Sequence, residues 1–312
     1  MELVLGVDGG GTKTVAWLAT LKAQSAGKPL GSGHSGPGNP RSIGFETALA
    51  NIDAAIDAAF VDAKLRPATI ESACIALAGA DRPVDRSHVE AWAARRRLSR
   101  QLQVVNDAEP ILAAASPEAV GVALICGTGS FACGRSSSGA IARCGGWGYL
   151  FGDEGSGYDI ALAGLRAAAR AADGRNAPTL LLQNFQQRLG VTTPSGLVEA
   201  IYQPGTGRQQ IADLSQVVFD AARQHDPCAR EIIIQATDHL CELVQTLVRR
   251  LDLTTGEYSL ALAGGVLMHW PEFCNAVVNR LADIDATPGS VTLVPEPVSG
   301  AIAMARRFGK NK

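Results

Sequence analysis

The 312-residue chain contains seven cysteines, at positions 74, 126, 133, 144, 228, 241 and 274, and no Cys-x-x-Cys pair. An odd, scattered set argues against a disulfide framework or a zinc site. It suits reduced thiols packed as small hydrophobes. The five histidines show no His-x3-His spacing, so they carry no metal signature. No apolar run approaches the ~20 residues needed to cross a bilayer. No basic and then apolar leader precedes the first strand, so a cytoplasmic protein without a membrane partner is expected. Charge of one sign is also scarce. Twenty-eight basic against 30 acidic residues leave a net charge of −2, which argues against a nucleic-acid or anionic-membrane surface. The one basic cluster, Arg95-Arg96-Arg97 with Arg100, reads as the solvated end of a helix carrying Trp92.

With 46% hydrophobic and 19% charged residues, the chain can bury a large core, and its length suggests roughly two domains of ~150 residues. The most informative segment is Leu3–Thr14. An apolar strand ends in Asp8, followed by Gly9, Gly10 and Gly11, then Thr12 and Thr14 around Lys13. Glycines allow backbone N–H groups to close around an anion. Asp8, at the strand mouth, suits a water-coordinated divalent cation. A P-loop is excluded, because Thr12 stands where its lysine belongs and a strand follows where a helix should. A plain glycine-rich hairpin turn is the competing reading.

Apolar periodicity predicts strands near 3–8, 13–20 and 28–34, and a helix over 43–64 with Phe45, Leu49, Ile52, Ile56 and Phe60 on one face. A strand at 70–78, a helix near 84–99, a strand at 102–106 and a short helix after Asp107 follow. Pro117 marks a boundary, and then the order repeats. Strand 120–126 runs into Gly127-Thr128-Gly129-Ser130, a second strand extends through Gly134, and a third lies near 140–144. Tyr258–Gly265 resembles Ile75–Ala80, and strand 291–295 precedes a last helix, 298–308. The interval between these later turns is longer, which predicts added helices between about 156 and 250. The plan is of two α/β halves whose glycine turns would face one cleft.

Asp107 ends the apolar strand 102–106 and opens a helix. It reads equally as a carboxylate that accepts a proton from a substrate hydroxyl and as an N-cap. Gly145–Gly157 combines six glycines, three aromatics and the acidic pair Asp153-Glu154 in thirteen residues. Carboxylates bind paired sugar hydroxyls, aromatics cover sugar faces, and loops seldom expose Trp147, Tyr149, Leu150 and Phe151 together without a purpose. Ser156 is a plausible cap for the helix that follows.

Three motifs in this order, Asp8–Thr14, Cys126–Ser130 and Gly145–Ser156, together with Asn106-Asp107 and Ala263-Gly264-Gly265, resemble the N-acetylglucosamine kinase branch of the BadF/BadG/BcrA/BcrD ATPase family. The resemblance spans nearly the whole chain. It implies a two-lobed, actin-like (ribonuclease H-like) α/β fold with duplicated mixed sheets around a cleft. The implied lobes are 1–116, joined by the C-terminal helix 298–312, and 117–297. It also implies transfer of the ATP γ-phosphoryl group to the 6-hydroxyl of an amino sugar, with Asp107 catalytic and Asp8 near Mg2+. ATP contacts fall on Gly10, Gly11, Thr12, Gly127, Thr128, Gly129, Gly264 and Gly265, with Ala222 on the adenine. Sugar contacts fall on Asn39, Asp107, Ser130, Gly146, Trp147, Gly148 and Asp153. A homodimer is the usual assembly in the family. Glucosamine kinases share most of these motifs, and an ATPase driving a partner protein and a sugar-responsive binding protein are further alternatives. The cysteine clusters of the family's dehydratase activators and of ROK kinases are lacking.

Overall fold

The computed structural model describes residues 1–22, 28–79, 82–116 and 118–310. Pro117, Ala80 and the last two residues of the expected 298–312 helix lie outside the described residues. The chain forms two compact units, Met1–Ala123 with Val294–Lys312, and Leu124–Leu293. It opens with β1 (Leu3–Gly9), β2 (Thr14–Thr20) and β3 (Gly31–Ser35), paired as antiparallel neighbours. Next come α1 (Pro40–Ile43), α2 (Phe45–Asp62), β4 (Ile70–Leu77), α3 (Pro83–Arg96), β5 (Ser99–Asn106) and α4 (Glu109–Ala115). β4 and β5 join in parallel on the other side of β1, giving the order β3-β2-β1-β4-β5.

A second mixed sheet repeats this plan with β6 (Gly121–Cys126), β7 (Ser130–Arg135) and β8 (Ile141–Gly145). The added helices are α5 (Gly157–Ala172), α6 (Leu180–Leu189), α7 (Gly196–Ile201), α8 (Arg208–Asp213), α9 (Ser215–Arg223) and α10 (Pro227–Arg250). They precede β9 (Ser259–Ala263), α11 (Gly265–His269), α12 (Pro271–Asp283), β10 (Ser290–Leu293) and α13 (Val298–Lys310). The strand order, β10-β9-β6-β7-β8, mirrors that of the first sheet read backwards. The duplicated α/β architecture expected from the sequence is therefore present.

β1 is buried along almost its whole length because helices cover both faces. Leu3, Leu5 and Val7 point to one side, where they pack with Ile52, Ile56 and Phe60 of α2 and Val89 and Trp92 of α3. Val4, with Cys74 and Ala76 of β4, points to the other side, against Ala301, Ile302 and Ala305 of α13. The last helix thus belongs to the first sheet. Its seat depends on absent side chains: a Cβ on Gly6 would sit 2.8 Å from the Ile302 nitrogen, and one on Gly300 would overlap the Pro110 carbonyl of α4. Gly300→Ala is expected to cost about 1–3 kcal/mol through overpacking, read as a lower urea midpoint. An unchanged midpoint would mean that this contact does not hold α13 in place.

Several element boundaries differ from expectation. β3 starts at Gly31 rather than at 28, and the helix expected over 43–64 is α2, which starts after Gly44 at φ 82; the short α1 before it was not expected. α3 stops at Arg96, because Arg97 turns left-handed at φ 52 and the Ile70 N–H bonds the Leu98 carbonyl. β5 consequently starts at Ser99. The basic cluster is not simply solvated. Arg96 pairs with Asp53 and Asp57 of α2, and Arg100 Nε lies 3.4 Å from Glu71.

Candidate active site

In the first unit, the strand mouth, the glycine turn and the loop carrying Asn39 are tied together. Thr14 is fully buried, and its hydroxyl donates to the Gly36 carbonyl at 2.8 Å. The Gly38 N–H donates to the Gly10 carbonyl at 2.9 Å, and a Cβ on Gly38 would lie 2.6 Å from Gly9 Cα. Of the two threonines, Thr14 is an anchor, whereas Gly11 and Thr12 are exposed at the turn. Asn39 caps α1, accepting from the Arg41 N–H at 2.9 Å. A Cβ on Gly79, in the turn after β4, would lie 2.7 Å from the Asn39 side-chain oxygen.

Asp107 is half-buried at the end of β5. Asp107 is not the N-cap of α4, a position taken by Ala108 without a side-chain cap bond. Asn106 Oδ1 accepts from the Ala108 and Glu109 N–H groups at 3.0 and 3.1 Å. Asp8, at the end of β1, is pushed up to about 7, chiefly by burial and then by the negative charge of Asp107. Lys13 pulls the value down and Glu296 pushes it up. Three carboxylates from separate parts of the chain therefore share one electrostatic neighbourhood. Glu296 had not been singled out from the sequence. Its signal was available, since it follows a strand and precedes a helix, as Asp107 does.

In the second unit, the Gly127–Gly129 turn, the start of α5, the Gly264-Gly265 turn and α8 meet. The Gly157 N–H donates to the Gly127 carbonyl and the Gly127 N–H to the Gly129 carbonyl, both at 2.9 Å. Ser156 caps α5 by accepting from the Asp159 N–H at 3.2 Å. Gly264, at φ 100, leaves no room for a Cβ against the Cys126 carbonyl, so the fold itself requires this glycine. Gly265 is exposed, and its nearest neighbour to a Cβ would be 3.7 Å away. Thr128 hydrogen-bonds Gln209 of α8.

Asp153 is buried, 5% exposed, with left-handed backbone at φ 60. It accepts from the Ser130 and Gly148 N–H groups and pairs with Arg208. Burial raises its pKa, and Arg208 offsets that rise. The Ser130 hydroxyl, also buried, donates to the Glu154 carbonyl at 2.6 Å. Gly146 and Gly148 take φ values of 71 and 90. The Gly146 carbonyl accepts from Arg143 at 3.2 Å, and Arg143 stacks over Phe131 at 4.5 Å. The aromatic segment is held in this way from below, yet Trp147 is 71% and Phe151 74% exposed. Ala222 is half-buried near the end of α9, next to Arg223, which covers Trp270 at 4.3 Å and pairs with Glu272 at 2.5 Å. Arg208 and Gln209 were missed from the sequence, because nothing in α8 marks it as a site.

The model of the BadF/BadG/BcrA/BcrD ATPase family matches residues 5–297. The chain belongs to that family. An N-acetylmuramic acid/N-acetylglucosamine kinase from Clostridium acetobutylicum is 34% identical over 267 residues, covering 86% of each chain. An N-acetyl-D-glucosamine kinase from Dictyostelium discoideum is 32% identical over 275 residues, covering 85% of each. Among solved structures, a candidate N-acetylglucosamine kinase from Chromobacterium violaceum shares the fold with a TM-score of 0.75 at 24% identity, over 98% of this chain and 99% of that one. A ROK family glucokinase from Streptomyces griseus, solved with glucose and AMPPNP, shares it at 0.55 and 15% identity, over 98% and 99%. As a BadF/BadG/BcrA/BcrD ATPase, the protein uses ATP, and its two sheets follow the plan of two-domain sugar kinases.

Proposed function

We propose that the protein is an ATP-dependent kinase that phosphorylates the 6-hydroxyl of N-acetylglucosamine. The observation that supports the phosphotransfer reading is the convergence of Asp8, Asp107 and Glu296, each at or just after a strand end, in one electrostatic neighbourhood. The names of the two curated relatives supply the sugar. Asp107 accepts the proton of the 6-hydroxyl as that oxygen attacks the γ-phosphorus, and the bond to the β,γ-bridging oxygen breaks to release ADP. Gly11 and Thr12 contact phosphate through backbone N–H groups, as do Thr128 and Gly129, while Gly10 and Gly127, whose N–H groups donate to the Lys13 and Gly129 carbonyls, let the phosphate approach the turns closely. Gly264, Gly265 and Ala222 take the adenosine end. Asn39, Ser130, Gly146, Trp147, Gly148 and Asp153 take the sugar.

A divalent cation fits the first unit. Among the described residues, no group of three Asp, Glu, His or Cys side chains forms a ready-made ligand set. Magnesium bound with a nucleotide needs only one or two carboxylates, the phosphates supplying the rest. Asp8, half-buried near Asp107 and Glu296, matches that demand. When bound, Mg2+ would neutralise charge on the triphosphate. The same reading assigns a cytoplasmic homodimer, which light scattering on the purified protein tests.

Gly11 separates this reading from a plain hairpin. A Cβ there would meet nothing within 4 Å, and its φ is not in the left-handed range. Gly11→Ala is therefore expected to keep stability within ~0.5 kcal/mol. It should weaken ATP binding by about tenfold or more, roughly 1.4 kcal/mol. Unchanged ATP affinity would remove this turn from the nucleotide site. A coupled assay against N-acetylglucosamine, N-acetylmuramic acid, glucosamine, N-acetylmannosamine and glucose tests the substrate. The highest kcat/KM should fall on N-acetylglucosamine.

A further inference from the structure

Arg208, the first residue of α8, grips the aromatic segment of the second unit through one carboxylate and one ring. Its Nη2 pairs with Asp153, whose carboxylate also accepts from the Ser130 and Gly148 N–H groups. Its guanidinium carbon lies 5.4 Å from the Tyr149 ring centroid, within cation–π range. Tyr149 in turn meets Tyr158 of α5 edge-on at 5.2 Å. The segment is therefore held from α8 at two points, Tyr149 and Asp153. Nε, on the guanidinium edge that meets Asp153, is buried, and the Asp153 side chain is 6% exposed. The pair is thus shielded from water, unlike a rim salt bridge that solvent and salt weaken. Gln209, the next residue, accepts from the Thr128 hydroxyl, which fixes the start of α8 against the glycine turn.

A carboxylate offers about four acceptor sites. The Ser130 and Gly148 N–H groups and Arg208 each take one on Asp153, which leaves room for a sugar hydroxyl. We infer that Arg208 is a positioning residue for sugar binding, holding the Asp153 carboxylate so that its remaining acceptor site meets a hydroxyl of the amino sugar. The inference rests on the proposed kinase reading and adds to it a residue that acts through Asp153. Asp153 needs such a holder, because its backbone is left-handed at φ 60, uncommon for a residue other than glycine. Burial favours its neutral form, as does the nearby Glu154, whereas Arg208 and the two N–H groups favour the charged form. The Cys126 thiol of β6, pushed up by burial and then by Asp153, also lies within reach. Arginine suits the task. Its planar fork fixes a carboxylate in direction as well as in charge, which the point charge of a lysine does not.

Steady-state phosphorylation of N-acetylglucosamine by the full chain, at saturating ATP and across about pH 5–8, tests this. Arg208→Gln should raise the KM for the sugar about tenfold or more, the scale of one lost charge-assisted hydrogen bond. It should change kcat and the KM for ATP by less than about threefold, the pattern of lost ground-state binding. As the pH is lowered, kcat/KM for the sugar should fall at a higher pH than in the wild type, because the cation that opposes protonation of Asp153 is gone. Arg208→Lys keeps a cation there, so its pH profile should follow the wild type while its sugar KM still rises severalfold. It decides the matter if Arg208→Gln does not fold. A wild-type sugar KM in either folded variant overturns the positioning role. A raised KM in Arg208→Gln with an unchanged pH profile also overturns it, since a merely structural contact gives that result. Wild-type turnover is the separate control. If the wild type phosphorylates no amino sugar, the kinase reading itself fails. If it does, and the Arg208 variants match it, only the positioning role fails.

Discussion

Asp107→Asn is expected to lower kcat by about 10²–10⁴-fold, the range that a positioned general base contributes, while N-acetylglucosamine still binds. Asparagine preserves the size and much of the hydrogen bonding of the side chain, so the sugar hydroxyl retains a partner. It cannot take the proton. Phosphoryl transfer passes through a loose transition state in which little proton removal is needed early, so positioning contributes much of the effect. A helix-capping aspartate would behave otherwise, losing stability and little turnover. The N–H groups that such a cap would satisfy, on Ala108 and Glu109, donate to Asn106 at 3.0 and 3.1 Å, so Asp107→Asn leaves them paired. Calorimetry and steady-state rates on the same preparation separate the two cases. Near-wild-type turnover would reject Asp107 as the base.

Asp8→Asn is expected to make the protein more stable and less active. In the folded chain Asp8 titrates at about 7 instead of 3.8, because burial and the carboxylates of Asp107 and Glu296 outweigh the pull of Lys13. The folded value lies above the unfolded one. The resulting stabilisation is complete below about pH 4 and disappears as the pH rises through about 7. Above pH 8 the ionised carboxylate opposes folding by on the order of a few kcal/mol, for a shift of about three units. Asparagine removes that penalty. Its urea midpoint should exceed that of the wild type at pH 8, and the difference should shrink toward pH 4. Activity with ATP should drop about 10²-fold or more, as for removal of one group that stabilises transferring charge. A lower midpoint at pH 8 would show that Asp8 is a structural ligand of the turn and carries no unfavourable charge.

Much of this was legible from local patterns. β1 and β4 announce themselves as apolar runs because helices cover both of their faces, and the glycine turns recur because the sheet is duplicated. Asp107 was legible as a residue of consequence, but its role was not. The oxygen that accepts from the Ala108 and Glu109 N–H groups comes from the adjacent Asn106, and adjacent polar residues at a strand end cannot be told apart by propensity. Helix ends were misread where single residues, Gly44 and Arg97, take left-handed backbone. Arg208 was hidden for a different reason. It reaches Asp153 through tertiary packing, across 55 residues, and no spacing in the chain records that contact, whereas Glu296 was overlooked although it stands between a strand and a helix as Asp107 does.

The most direct test of the central claim is phosphorus NMR of the reaction mixture containing the purified protein, ATP, Mg2+ and N-acetylglucosamine. The account predicts that the γ-phosphate of ATP is converted into a sugar phosphomonoester on the 6-oxygen, one for each ADP formed. ADP appearing with free phosphate, at a rate indifferent to the sugar, would contradict it.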